Sequence, residues 1–288
     1  MATLKAIRKR ISSVRNTQQI TKAMKMVSAA KLRRAQESAI QARPYAEKMT
    51  ELFKNLSTRV SREAHPLMTA REEKKVHLVL FTSDRGLCGG YNANLIRTAD
   101  AFIRQQSVDR EIELTLVGRK GADYFRRRRA NIADRYTDIL YQAPDELAVE
   151  IAAKLIDRFL NGATDAVYII YSRFRSALSQ VPTLEKLLPV SLTETGAAET
   201  EQATEYLYEP GVQQLLASLL PRITEVALQR ALLEATASEH GARMTAMESA
   251  TGNAAKMIGS LTLQMNRARQ ASITRELMEI VGTAEALK

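Results

Sequence analysis

The amino-acid sequence predicts an α/β fold class. A long antiparallel two-helix coiled coil from the two chain termini accompanies a small α/β domain with a mostly parallel sheet. Three observations predict it. Residues 211–288 contain no Phe, Tyr or Trp, yet they carry a sustained apolar stripe. Residues 1–62 repeat that character, with only Tyr45 and Phe53 as aromatics. The stretch between them holds the other aromatics and alternates short apolar runs with helical patterns, as βαβ units do. The expected organisation is therefore a helix over 1–62, an α/β domain over 63–210 and a helix over 211–288.

The C-terminal stripe is the strongest of these signals. Steps of alternating four and three residues from Val212 to Ser272 visit 18 positions, and 14 are apolar, among them Leu216, Leu233, Met247, Ile258, Leu261 and Met265. The overall composition would give about eight, so the heptad pattern is real. It predicts a very long helix with a narrow seam. Sixty helical residues span about 90 Å, whereas a domain of 150 residues has a radius of gyration of about 15 Å. The stripe therefore needs a partner helix. The N-terminal segment offers one, with Leu4, Ile7, Ile11 and Val14 on one face, then, after a skip, Ile20, Met24 and Val27. Pro44 predicts a kink or break, and Pro221 a bend or the true start of the second helix. Gly241, Gly252, Gly259 and Gly282 are either tolerated interior glycines or points of close backbone approach.

In the middle region, Val76–Thr82, Ile112–Val117 and Ala166–Tyr171 read as buried strands. Helices are expected from Asn92 or Asn94 to about Gln106, over Gly121–Arg129, and over Pro144–Leu160 with Asp145 and Glu146 in its first turn. Leu192–Thr204 reads as a loop, and Leu207–Gly211 as the junction into the last helix.

Charge is unevenly placed. Residues 1–62 carry 15 Lys/Arg and 3 acids. That arm suits an acidic partner surface. No run is long and apolar enough to span a membrane. The basic start suits a mitochondrial transit peptide in composition, but the helical pattern continues past Glu37 towards Pro44. The single cysteine, Cys88, excludes an intrachain disulfide.

No catalytic constellation emerges. His65, His77 and His240 lack metal-ligand spacing. The loop Ser83–Asn92, with Gly86, Gly89 and Gly90, follows a strand and precedes a helix, where phosphates can bind. Its spacing is neither GxGxxG nor GxxxxGK[ST], so it reads as a structural turn. Arg126–Arg129 reads as a solvated helix face. Two other classes stay in view: a small α/β enzyme binding a nucleotide at the Gly86 loop, and a basic coiled-coil nucleic-acid binder. The apolar stripe interleaved with the basic residues argues against the second, since another helix must cover it.

Several motifs carry a resemblance. These are Ile7-Arg8 through Val14 and Asn16–Val27, the Ser83–Asn92 loop, Ser179-Gln180-Val181-Pro182-Thr183, Tyr206-Leu207-Tyr208-Glu209-Pro210, and Ala268-Arg269-Gln270-Ala271-Ser272-Ile273-Thr274 through Val281. In this order they resemble the gamma-subunit family of F-type ATP synthases. One departure is Thr283-Ala284, where the family usually ends its closing motif with Gly-Ala.

The resemblance implies a non-catalytic rotor shaft without a cofactor or metal. It couples ion flow to ATP synthesis or hydrolysis by turning inside a hexamer of alternating alpha and beta subunits. It implies contacts of Met24, Lys25, Arg269, Gln270 and Thr274 with the beta subunits. It places Tyr206 and Glu209 on the membrane c-type ring, with the epsilon subunit also bound by the α/β domain. It implies no nucleic acid. The location implied is peripheral, on the cytoplasmic side of a bacterial inner membrane.

Overall fold

The computed structural model describes residues 4–57, 65–107, 109–138, 144–191 and 211–286. In chain order the elements are α1 (Leu4–Ser57), a 3-10 turn (Pro66–Met68), β1 (Lys75–Phe81), α2 (Tyr91–Gln106), β2 (Glu111–Val117), α3 (Arg119–Arg127), β3 (Ile132–Tyr136), α4 (Pro144–Leu160), β4 (Ala166–Phe174), β5 (Gln180–Leu188) and α5 (Val212–Ala286). Contacts divide the chain into two compact units, Met1–Ser28 with Arg243–Lys288, and Ala29–Ala242. The domain boundaries expected at 62/63 and 210/211 lie outside the described residues.

The larger unit holds a five-stranded sheet in the order β3-β2-β1-β4-β5. The first four strands run parallel, and β5 pairs antiparallel with β4 at the edge. Every central strand is buried on both sides, as a sheet covered by helices requires. Alternation along β1 divides its side chains between two cores. Val79 and Phe81 join Ile151, Leu155 and Phe159 of α4, together with Phe53 and Leu56 of α1 and Leu220 and Leu228 of α5. Leu78 and Leu80 join Leu95 and Phe102 of α2, Phe125 of α3 and Ala242 of α5.

One expectation is corrected here, the cap of α2. Pro44 lies inside α1 and Pro221 inside α5, so neither helix breaks or starts at its proline. A proline removes its own amide bond and crowds a carbonyl of the preceding turn. Inward-facing neighbours hold the flanking turns in each case, Ala46 and Met49 around Pro44, and Leu220 and Thr224 around Pro221. Neither Asn92 nor Asn94 caps α2. The N-cap is Gly90, without a side-chain cap bond.

His77 sits fully buried on β1. Its Nε2 lies 2.7 Å from Thr115 Oγ1, and its Nδ1 lies 3.2 Å from Glu113 Oε2. Burial, the largest influence, pushes its pKa down to about 4, against the pull of Glu113 and with a smaller push from Arg158. The ring is therefore neutral when folded, while the unfolded ring titrates near its ordinary value of about 6.5. Between those values the unfolded chain binds more protons, so stability is full above pH 6.5 and falls as the pH drops towards 4. The urea midpoint should decline across that window in the parent protein. The decline should be shallower in His77→Gln. An equal decline in both would remove His77 from the account.

Candidate functional site

The smaller unit is a two-helix pair. Ile7 and Ile11 of α1 pack on Leu261 of α5, with Val14, Ile258, Met265 and Ala268 half-buried around them. Further along, Thr21 Oγ1 meets Thr251 Oγ1 at 2.8 Å, and Lys25 Nζ donates to Glu248 Oε1 at 2.6 Å. As the residue number rises on one helix it falls on the other, so the pair is antiparallel. In the larger unit the same helices meet again, where Arg222 Nε donates to Tyr45 Oη at 3.2 Å.

The α5 stripe holds its heptad positions. From Leu216 to Ser272, every stripe member except Arg230 is buried or half-buried, His240 included. On α1 the sequence expectation after Val14 holds at half-buried Met24 and fails at two positions. Ile20 and Val27 are 60 % and 57 % exposed. The inward positions are instead Gln18, Thr21, Lys25 and Ser28, continuing to Leu32 and Ala35. The 3-4 spacing therefore runs without a skip, and polar residues occupy part of the seam. One of the Thr21 and Thr251 hydroxyls donates to the other, which in turn donates to a carbonyl of its own helix, Gln18 or Met247. Burying them thus leaves no orphaned donor.

Beyond Ser272 the seam ends, and α5 presents its apolar residues to solvent. Ile273, Leu277, Met278, Ile280 and Val281 are all exposed. Ile273, Leu277 and Ile280 lie at i, i+4 and i+7, so they share one face. An exposed apolar stripe of this kind marks an interaction surface. The closing motif contains these residues, but the sequence reading gave them no contact role. The helical spacing after Ser272 was the signal that could have found them.

Of the residues expected to bind beta subunits, Met24 and Lys25 are half-buried on α1. Arg269, Gln270 and Thr274 are exposed on α5, and Thr274 Oγ1 donates to the Gln270 carbonyl at 3.0 Å. Glu248, the partner of Lys25, precedes Arg269 by 21 residues on one helix, which is about 30 Å. The structure thus forms two separate patches. Tyr206 and Glu209 lie outside the described residues.

The glycine loop is occupied with holding itself together. Asn92 Oδ1 accepts from the Ser83 amide at 3.0 Å, and Asn92 Nδ2 donates to Ser83 Oγ at 2.7 Å and reaches Cys88 Sγ at 3.2 Å. Asp84 Oδ1 accepts from the Arg119 amide at the start of α3. Cys88 is buried. In a doubly wound sheet the ligand crevice opens beyond the carboxyl ends of the strands, where the strand order reverses. Here that place lies between β1 and β4, and α5 fills it. Ser238 Oγ donates to the Ser172 carbonyl at 2.8 Å, and Tyr91 Oη donates to the Ala235 carbonyl at 3.1 Å. A Cβ on Gly241 would come within 3.1 Å of the Phe174 ring, so this glycine marks close approach. Gly252, Gly259 and Gly282 face open space.

Comparison with known proteins agrees with this architecture. A family model described as ATP synthase matches residues 3–287. The ATP synthase gamma chain of Geotalea daltonii is 51 % identical over 292 residues, covering all of both chains. That of Moorella thermoacetica is 50 % identical over 288 residues, again covering all of both. Among solved structures, a chain of the Tetrahymena thermophila mitochondrial ATP synthase central stalk and c-ring superposes with a TM-score of 0.61 at 26 % identity. The match covers 80 % of this chain and 99 % of that one. A chain of the Euglena gracilis mitochondrial enzyme gives a TM-score of 0.68 at 22 % identity, covering 99 % and 94 %. With a matching family model and relatives of this identity along its whole length, the chain belongs to the ATP synthase gamma chain family.

Proposed function

We propose that this chain is the central rotor shaft of an F-type ATP synthase, a non-catalytic subunit that couples ion flow to ATP synthesis or hydrolysis. The observation that carries the reading is the exposed apolar face of Ile273, Leu277 and Ile280 next to a closed antiparallel pair. A helix end of this chemistry needs a surrounding apolar surface, and a smooth one permits turning. The alpha–beta hexamer supplies that surface. Arg269 and Gln270, about one turn before Ile273, and Thr274, next to it, hydrogen-bond to beta subunits at the edge of the apolar region.

Lys25 meets an acidic surface of a beta subunit beside Met24. Its pair with Glu248 leaves the two side chains 38 % and 60 % exposed. Such a surface pair contributes little to stability, so the lysine can exchange Glu248 for an acidic partner at small cost. Tyr206, Glu209 and the α/β unit engage the c-type ring and the epsilon subunit. No helix among the described residues is long and apolar enough to cross a membrane. The chain attaches through the ring, peripherally, on the cytoplasmic side of a bacterial inner membrane.

The test is reconstitution with alpha and beta subunits. A stoichiometric complex with stimulated ATPase activity is expected. Gln270→Ala combined with Thr274→Ala should lower turnover several-fold while the complex still assembles. Failure of the parent chain to associate would overturn the reading.

A further inference from the structure

The sequence reading treats Arg126–Arg129 as a solvated helix face. Lys120 lies on the same helix, and the fold brings Arg97 to it from elsewhere. Helices α2 and α3 follow neighbouring parallel strands, so they run side by side with their first turns together. Between them lies an open hollow of about 620 Å³. Arg97 lines it from α2, and Lys120, Arg127 and Arg128 line it from α3. Arg97, Lys120 and Arg127 are exposed and have no ion pair among the described residues. Arg128 lies over the Tyr124 ring, 3.7 Å from its centroid, which holds its guanidinium at the wall.

The hollow also contains two acids, and both are engaged. Asp100 accepts from Tyr124 Oη. Asp123 lies 3.6 Å from Arg126 Nη2. The balance in the hollow is positive.

Local stability does not account for this arrangement. Cations at the end of α3 suit the negative end of its dipole. That explains Arg126 and Arg127 but not Lys120, which sits in the first turn, at the positive end. Neither α2 nor α3 has an acid in its first turn. Arg129, next to the hollow, adopts φ 55°. That conformation favours glycine after a helix. Charge is thus kept where the backbone and the dipole favour other residues.

We infer that the α2–α3 hollow binds an anionic phosphate group. Arg97, Lys120 and Arg127 would supply charge-assisted hydrogen bonds, with Arg128 fixed against Tyr124 beside them. The ligand is either a soluble phosphorylated molecule or a phospholipid headgroup. The inference does not rest on the shaft reading: it uses none of the residues named there as contacts, although the hollow lies on the α/β unit.

The test uses the full chain, with inorganic pyrophosphate followed by titration calorimetry at low salt. Vesicles of phosphatidylcholine, with and without phosphatidylglycerol, are followed by co-sedimentation. Lys120→Glu with Arg127→Glu is the site variant, and Lys5→Glu with Arg8→Glu the charge-matched control on α1. Both pairs are solvent-exposed, and unchanged thermal melting verifies folding. Pyrophosphate binding that weakens at least about tenfold in the site variant, an effect typical of charge-assisted contacts, and not in the control, supports a soluble ligand. Binding only to phosphatidylglycerol vesicles, lost in the site variant, supports a headgroup. Absence of both interactions, or equal binding by parent and site variant, overturns the inference.

Discussion

Gly118→Ala is expected to destabilise the α/β unit by about 3–5 kcal/mol, summing backbone strain and overpacking. Gly118 follows β2 and is the N-cap of α3, with φ 99°. A Cβ there would lie 2.1 Å from the Thr82 carbonyl oxygen and 2.6 Å from its carbon. Neither atom is the free end of a flexible side chain, so the backbone itself must move. Thr82 is also committed, since its Oγ1 accepts from the Gly121 amide at 2.9 Å and its amide donates to the Val117 carbonyl at 2.7 Å. Gly162→Ala is the matched control. That residue has φ 71° but nothing within 4 Å of a Cβ, so the cost is about 1–2 kcal/mol from the left-handed conformation alone. Urea unfolding of the two variants measures the difference. Equal midpoints would show that strain, and not the collision with Thr82, sets the cost.

Leu261→Ala should cost about 2–3 kcal/mol, the lower part of the range for buried leucine. Leu261 is 8 % exposed and is the α5 residue on which Ile7 and Ile11 close. The cluster is small, so its loss should open the pair locally before the α/β unit unfolds. Amide hydrogen exchange reads this directly. Protection should fall in α1 up to about Lys25 and in the facing stretch of α5, while β1 and β4 keep theirs. Leu263→Ala, at a site 62 % exposed, should leave exchange unchanged. An unaltered pattern in Leu261→Ala would mean that the seam is held elsewhere.

The parts of this fold that were legible are those where one force dominates. Val76–Thr82, Ile112–Val117 and Ala166–Tyr171 are apolar because both faces of the central strands are covered. Pro144–Leu160 combines a stripe with acids at its start, and the helix occupies those same residues. Strand β3 was missed because it is an edge, half-buried, with Asp134 and Arg135 in its short span. Strand β5 was missed because Pro182 argues against a strand. An edge position tolerates it, and Pro182 pairs with Ser172 of β4. The α1 seam was misread because hydrophobicity leads to Ile20 and Val27, whereas the partner helix receives Thr21 and Ser28.

Asn92 illustrates another limit. A carboxamide near a helix start can cap that helix or bind backward, and only the turn's geometry selects Ser83. The site divides along similar lines. Arg269, Gln270 and Thr274 are exposed, as on any solvated helix face, so their contact role is drawn from the closing motif alone. The meeting of Arg97 with Lys120 and Arg127 was not readable, because sheet topology alone makes those helices neighbours.

The bare apolar face of Ile273, Leu277 and Ile280 has a consequence for biosynthesis. A copy released without its hexamer displays that face to every other such copy, and two faces can cover each other. Surplus chain should therefore self-associate and be lost to aggregation or proteolysis. Cells making this protein gain from producing it in step with the subunits that enclose it.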